Sequence, residues 1–155
     1  MGGPHREPGG TSNGGQFKRK GHHEPDVTLR GPGSHSKLLA EHGQRVVDSL
    51  EDMLSFADLA TNIISQGRDS YDADINLRLA GEAVCHRMGE AAARLLHHDH
   101  EHFILTHPDV DWAAIRGLRN VVAHQYERVN HRILWNALAV EFPADAAKIR
   151  AMLDE

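Results

Sequence analysis

An arginine, an asparagine, a histidine and a tyrosine stand close together in Arg119-Asn120-Val121-Val122-Ala123-His124-Gln125-Tyr126, and their types suit one kind of chemistry. Imidazole titrates near neutrality, so His124 can take or give a proton without a metal. The Arg119 guanidinium stays charged at physiological pH, and its planar fork matches the oxygens of a phosphodiester. Together such groups can cleave RNA: a base removes the ribose 2′-hydroxyl proton while a fixed cation stabilises charge building on the phosphate. Asn120 can orient either group or hydrogen-bond the sugar. No cofactor and no metal is called for.

A helix must position these groups. At about 100° per residue, Ala114, Ile115, Leu118, Val121 and Val122 form a compact apolar face. Arg116, Asn120, Ala123 and Glu127 lie opposite, with Arg119 and His124 flanking them, and Tyr126 falls beside Arg119. Burying the apolar stripe therefore presents Arg, Asn and His together. An Arg and a His five apart also suit an ordinary solvated helix face, so spacing alone does not decide between the two.

The rest of the chain reads as helices. Apolar residues recur at helical spacing from Leu38 to Ile64 (Leu39, Val46, Leu50, Met53, Leu54, Ala57, Ala60, Ile64), with Ser36 as N-cap and Gly67 as stop. A second long helix is expected from about Asp72 to His98, facing Ile75, Leu79, Ala83, Met88, Ala92, Leu95 and Leu96 inward. A polar connection, residues 97–109, leads to the motif helix, Trp112 to His124, capped by Asp109 or Asp111. A fourth helix covers roughly residues 130–141, and Pro143 opens a short last one through Met152. No stretch alternates with period two for long enough to make a strand. The fold class is all-α, an antiparallel four- to five-helix bundle.

Composition divides the 155 residues in two. Residues 1–35 hold nine of the fourteen glycines and four of the six prolines, with only Phe17, Val27 and Leu29 as large apolar side chains after Met1. Such a stretch buries too little apolar surface to offset the entropy of ordering it, so we expect a disordered tail and a folded unit at residues 36–155. Five basic residues against three acidic ones give the tail +2; with −5 overall, the folded unit carries −7. An acidic domain is not a general nucleic-acid binder, although a small cleft with local positive charge remains compatible with it. The tail suits an RNA-attracting arm, a partner-binding segment or an inert extension.

Other chemistry-bearing residues read more plainly. Cys85 is alone, which excludes an intramolecular disulfide and fits a reducing cytoplasm; its helical setting makes it a small buried side chain rather than a nucleophile. His97, His98, His100 and His102 have ligand types but no regular zinc spacing, and are expected in a solvated loop. Glu82 and Glu90 are read as bundle support, and Trp112 and Trp135 as core packing. No apolar run approaches membrane length, and Arg6 stands where a myristoylation signal has Ser or Thr. A cytosolic, soluble protein is expected.

The series around the motif is similar to one family. Arg119-Asn120-x-x-x-His124-x-Tyr126 resembles the R-x4-H-x-Y signature of HepT toxins in the HEPN superfamily. Arg87-Met88-Gly89-Glu90-Ala91 resembles the family's hydrophobic-Gly-Glu-Ala element. Asp111-Trp112-Ala113-Ala114-Ile115 resembles its Trp-x-x-Ile approach, Tyr126 to Trp135 the stretch that follows, and Phe142-Pro143 its Leu-Pro. These cover about residues 40–155 in order. The resemblance implies a dimerising helical bundle that brings two motifs to a shared cleft. It further implies a metal-independent endoribonuclease, often acting on tRNA, as the toxin of a type II or type VII toxin–antitoxin pair. Arg119 and His124 would be catalytic, with Asn120 supporting. The implied partner is an MntA-type minimal nucleotidyltransferase that silences the toxin by adenylylating the motif tyrosine, here Tyr126. The alternative is a non-catalytic HEPN module that binds a nucleotide or a protein through the same cleft; a helical structural subunit with a retired site is a third reading.

Overall fold

The computed structural model describes residues 35–97, 101–123 and 129–154, and among them every regular element is helical. In chain order these are α1 (Ser36–His42), α2 (Gln44–Ile64), α3 (Arg68–Ala73), α4 (Ile75–His97), α5 (Glu101–Thr106), α6 (Trp112–Ala123), α7 (His131–Asn136) and α8 (Phe142–Asp154). The expected all-α bundle is borne out. The tail reading for residues 1–34 lies outside the described residues. His35, at the tail's expected edge, donates its Nδ1–H to the Leu153 carbonyl at 2.8 Å.

One glycine divides what apolar spacing reads as one helix, and a second ends it. Gly43 has φ 82° and Gly67 has φ 88°, a left-handed backbone that a Cβ disfavours. The expected helix from Leu38 to Ile64 is therefore broken at Gly43 into α1 and α2, and Ser36 is a helical residue preceded by His35 rather than the cap. Gly67 does stop α2. A second break comes at Asp74, whose extended backbone (φ −100°, ψ 115°) separates α3 from α4. Asp74 then accepts the Asn76 N–H on its side chain at 2.8 Å.

The C-terminal helices are continuous, contrary to a separate last helix opened by Pro143. α7 passes through a π-helical turn, Ala137–Glu141, directly into α8. Pro143 offers no N–H to the Ala139 carbonyl and crowds it, and the widened turn just before accommodates that conflict without ending the helix.

α4 is the central element, packing on α2 to one side and α6 to the other, while α2 also carries α8. Its buried arc is Val84, Cys85, Met88, Ala91, Ala92 and Leu95. The same core cluster holds Val46, Leu50, Met53 and Ala57 of α2, Ile115 and Leu118 of α6, and Phe142 and Ile149 of α8. The outward side of α4 corrects three expectations: Ile75 (54% exposed), Leu79 (53%) and Ala83 face solvent, one turn apart along the helix. Leu39 and Ala114 are exposed as well, with Leu38 buried in place of Leu39. Helical period alone places these residues inward, whereas the arc that the covering helices bury on α4 runs through Val84, Cys85, Met88, Ala91, Ala92 and Leu95 together with Gly81 and Gly89. The segment read as a polar connection also contains α5, which buries Phe103 against Trp112 at 5.5 Å between ring centroids.

α4 and α6 approach each other closely at Gly89. A Cβ there would sit 2.8 Å from Arg119 Cβ, 2.9 Å from the Arg119 nitrogen and 3.1 Å from the Ile115 carbonyl oxygen. Two of those atoms are backbone, so the clash is relieved only by separating the helices. Gly89→Ala is expected to lower unfolding free energy by about 1–3 kcal/mol, the usual cost of overpacking, when measured by urea titration. A loss below about 0.5 kcal/mol would contradict this crossing.

Candidate active site

Local sequence fixes the rotation of α6 before any site residue is considered. Asp111 caps it, accepting the Ala114 N–H at 2.9 Å, which settles the choice between Asp109 and Asp111. Trp112 is buried and donates its indole N–H to the His107 carbonyl at 2.9 Å. Ile115 and Leu118 then turn into the core, with Val121 and Val122 partly buried beside them. The opposite consequence is the functional one: Arg119 emerges over Gly89 with Asn120 exposed next to it.

Arg119 Nε pairs with Glu90 Oε1 at 2.9 Å, both side chains being 42% exposed. An ion pair this exposed contributes at most about 1 kcal/mol to stability, so its effect is on direction rather than on folding. A guanidinium has five N–H donors, and engaging one edge through Nε suits the terminal amino groups to a phosphate. Glu90 was read from sequence only as bundle support; the structure gives it a specific partner. The signal was present in Gly89-Glu90, a glycine that admits α6 followed by a carboxylate that meets its arginine.

Glu90 also lines an open groove of about 640 Å³ with Asp52, Phe56, Ala83, His86, Arg87 and Arg94. Arg94 is paired with Asp52, whereas exposed Arg87 has no ion-pair partner among the described residues. The groove's two arginines are matched by Asp52 and Glu90, so its charge is balanced on an otherwise acidic chain. His124 and Tyr126 lie outside the described residues, which on α6 end at Ala123. The structure therefore locates Arg119 and Asn120 on one helix and does not locate the other two.

The remaining candidates resolve as follows. Trp135 is only partly buried, tilted against Tyr71 at 5.1 Å between ring centroids with Arg68 over its ring at 5.4 Å, so it closes an edge rather than filling the core. Of the histidine-rich stretch, residues 98–100 lie outside the described residues, and His102 on α5 approaches the His42 ring at 5.7 Å. Among the described residues no group of three or more ligand-type side chains is arranged to hold a metal ion.

Residues 48–152 match the family model described as Ribonuclease HepT-like, more than half of the chain. The chain belongs to the HepT-like ribonuclease family. A candidate RNase, TTE0752, from Caldanaerobacter subterraneus subsp. tengcongensis is 33% identical over 49 residues, which is 32% of this chain and 44% of that protein. The chain thus spans less than half of that relative's length. No solved structure matches the chain. Arg119, Asn120, Gly89 and Glu90 all fall inside the HepT-like match, as do His124 and Tyr126. Among the described residues no helix is long and apolar enough to cross a membrane.

Cys85, within the same match, is fully buried, and burial pushes its thiol up to about 12. At pH 8 the thiolate is therefore scarce and the sulfur is shielded from solvent. Iodoacetamide at pH 8 should therefore leave Cys85 unmodified in the folded protein and alkylate it in urea, as read by intact mass. Rapid modification without denaturant would show that the α4 core opens.

Proposed function

We propose that this HepT-like protein is a metal-independent endoribonuclease, the toxin of a toxin–antitoxin pair, which cleaves RNA, with tRNA as the favoured substrate. The observation that carries this reading is the Arg119 guanidinium, held at the surface by Glu90 beside exposed Asn120 on the helix that leads to His124. Arg119 binds the scissile phosphate and offsets the charge that develops on it. His124 takes the 2′-hydroxyl proton, the 2′-oxygen attacks phosphorus, and the P–O5′ bond breaks. The departing 5′-oxygen takes a proton from a second imidazole, for which His124 of another copy is the candidate. The outward apolar row Ile75, Leu79 and Ala83 on α4 supports such a homodimer.

Control would act through Tyr126. Adenylylation by a cognate MntA-type nucleotidyltransferase would add anionic phosphate two residues beyond His124, where it competes for Arg119 and repels substrate. The protein would work in the cytoplasm.

Purified protein should cleave RNA in EDTA. Arg119→Ala and His124→Ala should each lower the rate on the order of hundreds-fold, the usual loss for a transition-state charge contact. Glu90→Gln should keep the melting temperature within a few degrees and cost several-fold in kcat/KM, because a pair worth at most about 1 kcal/mol is removed while Arg119 loses its orientation. A metal requirement, or full activity in His124→Ala, would exclude this mechanism.

A further inference from the structure

Five glycines lie among the described residues, and the fold accounts for four of them. Gly43 and Gly67 take a left-handed backbone, with φ 82° and 88°. Gly81 and Gly89 are closely covered. A Cβ on Gly81 would lie 2.9 Å from the Tyr71 ring and hydroxyl, and one on Gly89 would lie 2.8 Å from Arg119 Cβ. Gly117 has neither reason. It stands inside α6 without a positive φ, and a Cβ there would meet nothing within 4 Å. Glycine within a helix is destabilising relative to alanine, because it gives up more backbone freedom on folding. At this position the chain bears that loss and presents a bare, partly exposed stretch of helix backbone.

The bare stretch adjoins the candidate site. At about 100° per residue, the outward side of α6 runs from Arg119 through Arg116 and Asn120 to Gly117, roughly 160° of helix. Arg116 and Asn120 are exposed, and Arg116 has no ion-pair partner among the described residues. Its whole guanidinium can meet an anion, whereas Arg119 engages Glu90 through Nε and keeps its terminal amino groups. Three residues separate the two arginines, so their side chains leave the helix as neighbours. None of the exposed large apolar side chains lies on α6. A protein interface centres on large apolar and aromatic groups. Two guanidiniums, an amide and uncovered backbone fit a chain of phosphates that must come close.

We infer that Arg116 and Gly117 extend the candidate site into a seat for the RNA strand. Arg116 holds a phosphate next to the scissile one, and Gly117 admits the sugar–phosphate backbone directly against α6. The inference rests on the proposed nuclease for the identity of the occupant. Neither residue takes part in the bond change. Arg116 adds binding that falls with salt, since each phosphate contact releases counterions. Gly117 adds proximity, and any side chain there stands in the strand's place. A glycine that the substrate needs and the fold does not has a distinctive signature: replacing it strengthens the folded protein and weakens the complex.

The full-length protein and its Gly117→Ala, Gly117→Leu and Arg116→Gln variants would be compared by thermal unfolding, light scattering and RNA binding. The probe is a fluorescent 2′-O-methyl RNA oligonucleotide, which presents phosphates but cannot be cleaved through a 2′-hydroxyl. Gly117→Ala should raise the melting temperature by about 2–4 °C. It should weaken binding roughly fivefold, and Gly117→Leu by up to about a hundredfold, with the solution mass unchanged. Arg116→Gln should lower the slope of log Kd against log salt by about 0.7, whereas Arg45→Gln, at an exposed arginine on α2, should leave it unchanged. Wild-type affinity in Gly117→Leu would overturn the inference, as would a lower melting temperature in Gly117→Ala. Lost binding together with a lower solution mass would also overturn it, showing that this face meets a second copy of the chain. If the wild-type protein cleaves RNA and the variants bind as it does, only this inference fails. If the wild-type protein neither binds nor cleaves RNA, the nuclease reading fails and the seat falls with it.

Discussion

The absence of a side chain at Gly89 sets the geometry on which the site depends. There the α6 backbone comes within about van der Waals contact of α4, placing Arg119 directly above the glycine and within reach of the next residue, Glu90. Packing sets position, and charge sets direction. The burial of Trp112, Ile115 and Leu118 prevents α6 from turning about its axis, whereas the exposed ion pair contributes little to stability. The two roles are separable by mutation, because changing the glycine disturbs folding and changing the glutamate disturbs the guanidinium.

α4 serves as a ruler for the site. Its buried arc faces α2 and α6, and its remaining surface presents Glu82 toward His131 and Glu90 toward Arg119. The protein's overall negative charge becomes intelligible in this light, because carboxylates on this helix hold cationic or imidazole partners and do not simply repel substrate. Arg87, exposed beside the groove that Glu90 lines, adds positive charge on the same surface. A cleft for an anionic polymer can thus exist on an acidic domain, since field strength is local and screened within about 10 Å at 0.1 M salt.

Much of this was legible in the sequence. Helical period and the lack of two-residue alternation gave the all-α class, and the Gly67 stop and the buried Trp112 and Cys85 follow from residue chemistry alone, whereas Asp109 and Asp111 are equal candidates for the cap until the structure shows Asp111 making it. The apolar period could not show that Gly43 breaks the first helix, because a single glycine reads equally well as a tolerated helix residue or as a left-handed joint. Nor could it orient α4. Ile75 and Leu79 are more apolar than Gly81 or Ala92, yet the buried arc runs through the latter two, and Ile75 and Leu79 face out. The Arg119–Glu90 and His131–Glu82 pairs span 29 and 49 positions, separations at which no local rule operates. Tyr71, whose hydroxyl is buried against α4, carries no motif at all and becomes visible only in three dimensions.

The central claim is that Arg119 and His124 cleave RNA through its own 2′-hydroxyl, with no metal in the reaction. Product-end analysis tests it most directly: an end-labelled RNA oligonucleotide is incubated with the purified protein in EDTA beside an identical strand with 2′-deoxy sugar at the cleaved position. The account predicts that the RNA yields 5′-hydroxyl ends and 2′,3′-cyclic or 3′-phosphate ends, and that the deoxy-substituted strand is uncut there. Products bearing 3′-hydroxyl and 5′-phosphate ends, or cutting of the deoxy strand at the same bond, would contradict it.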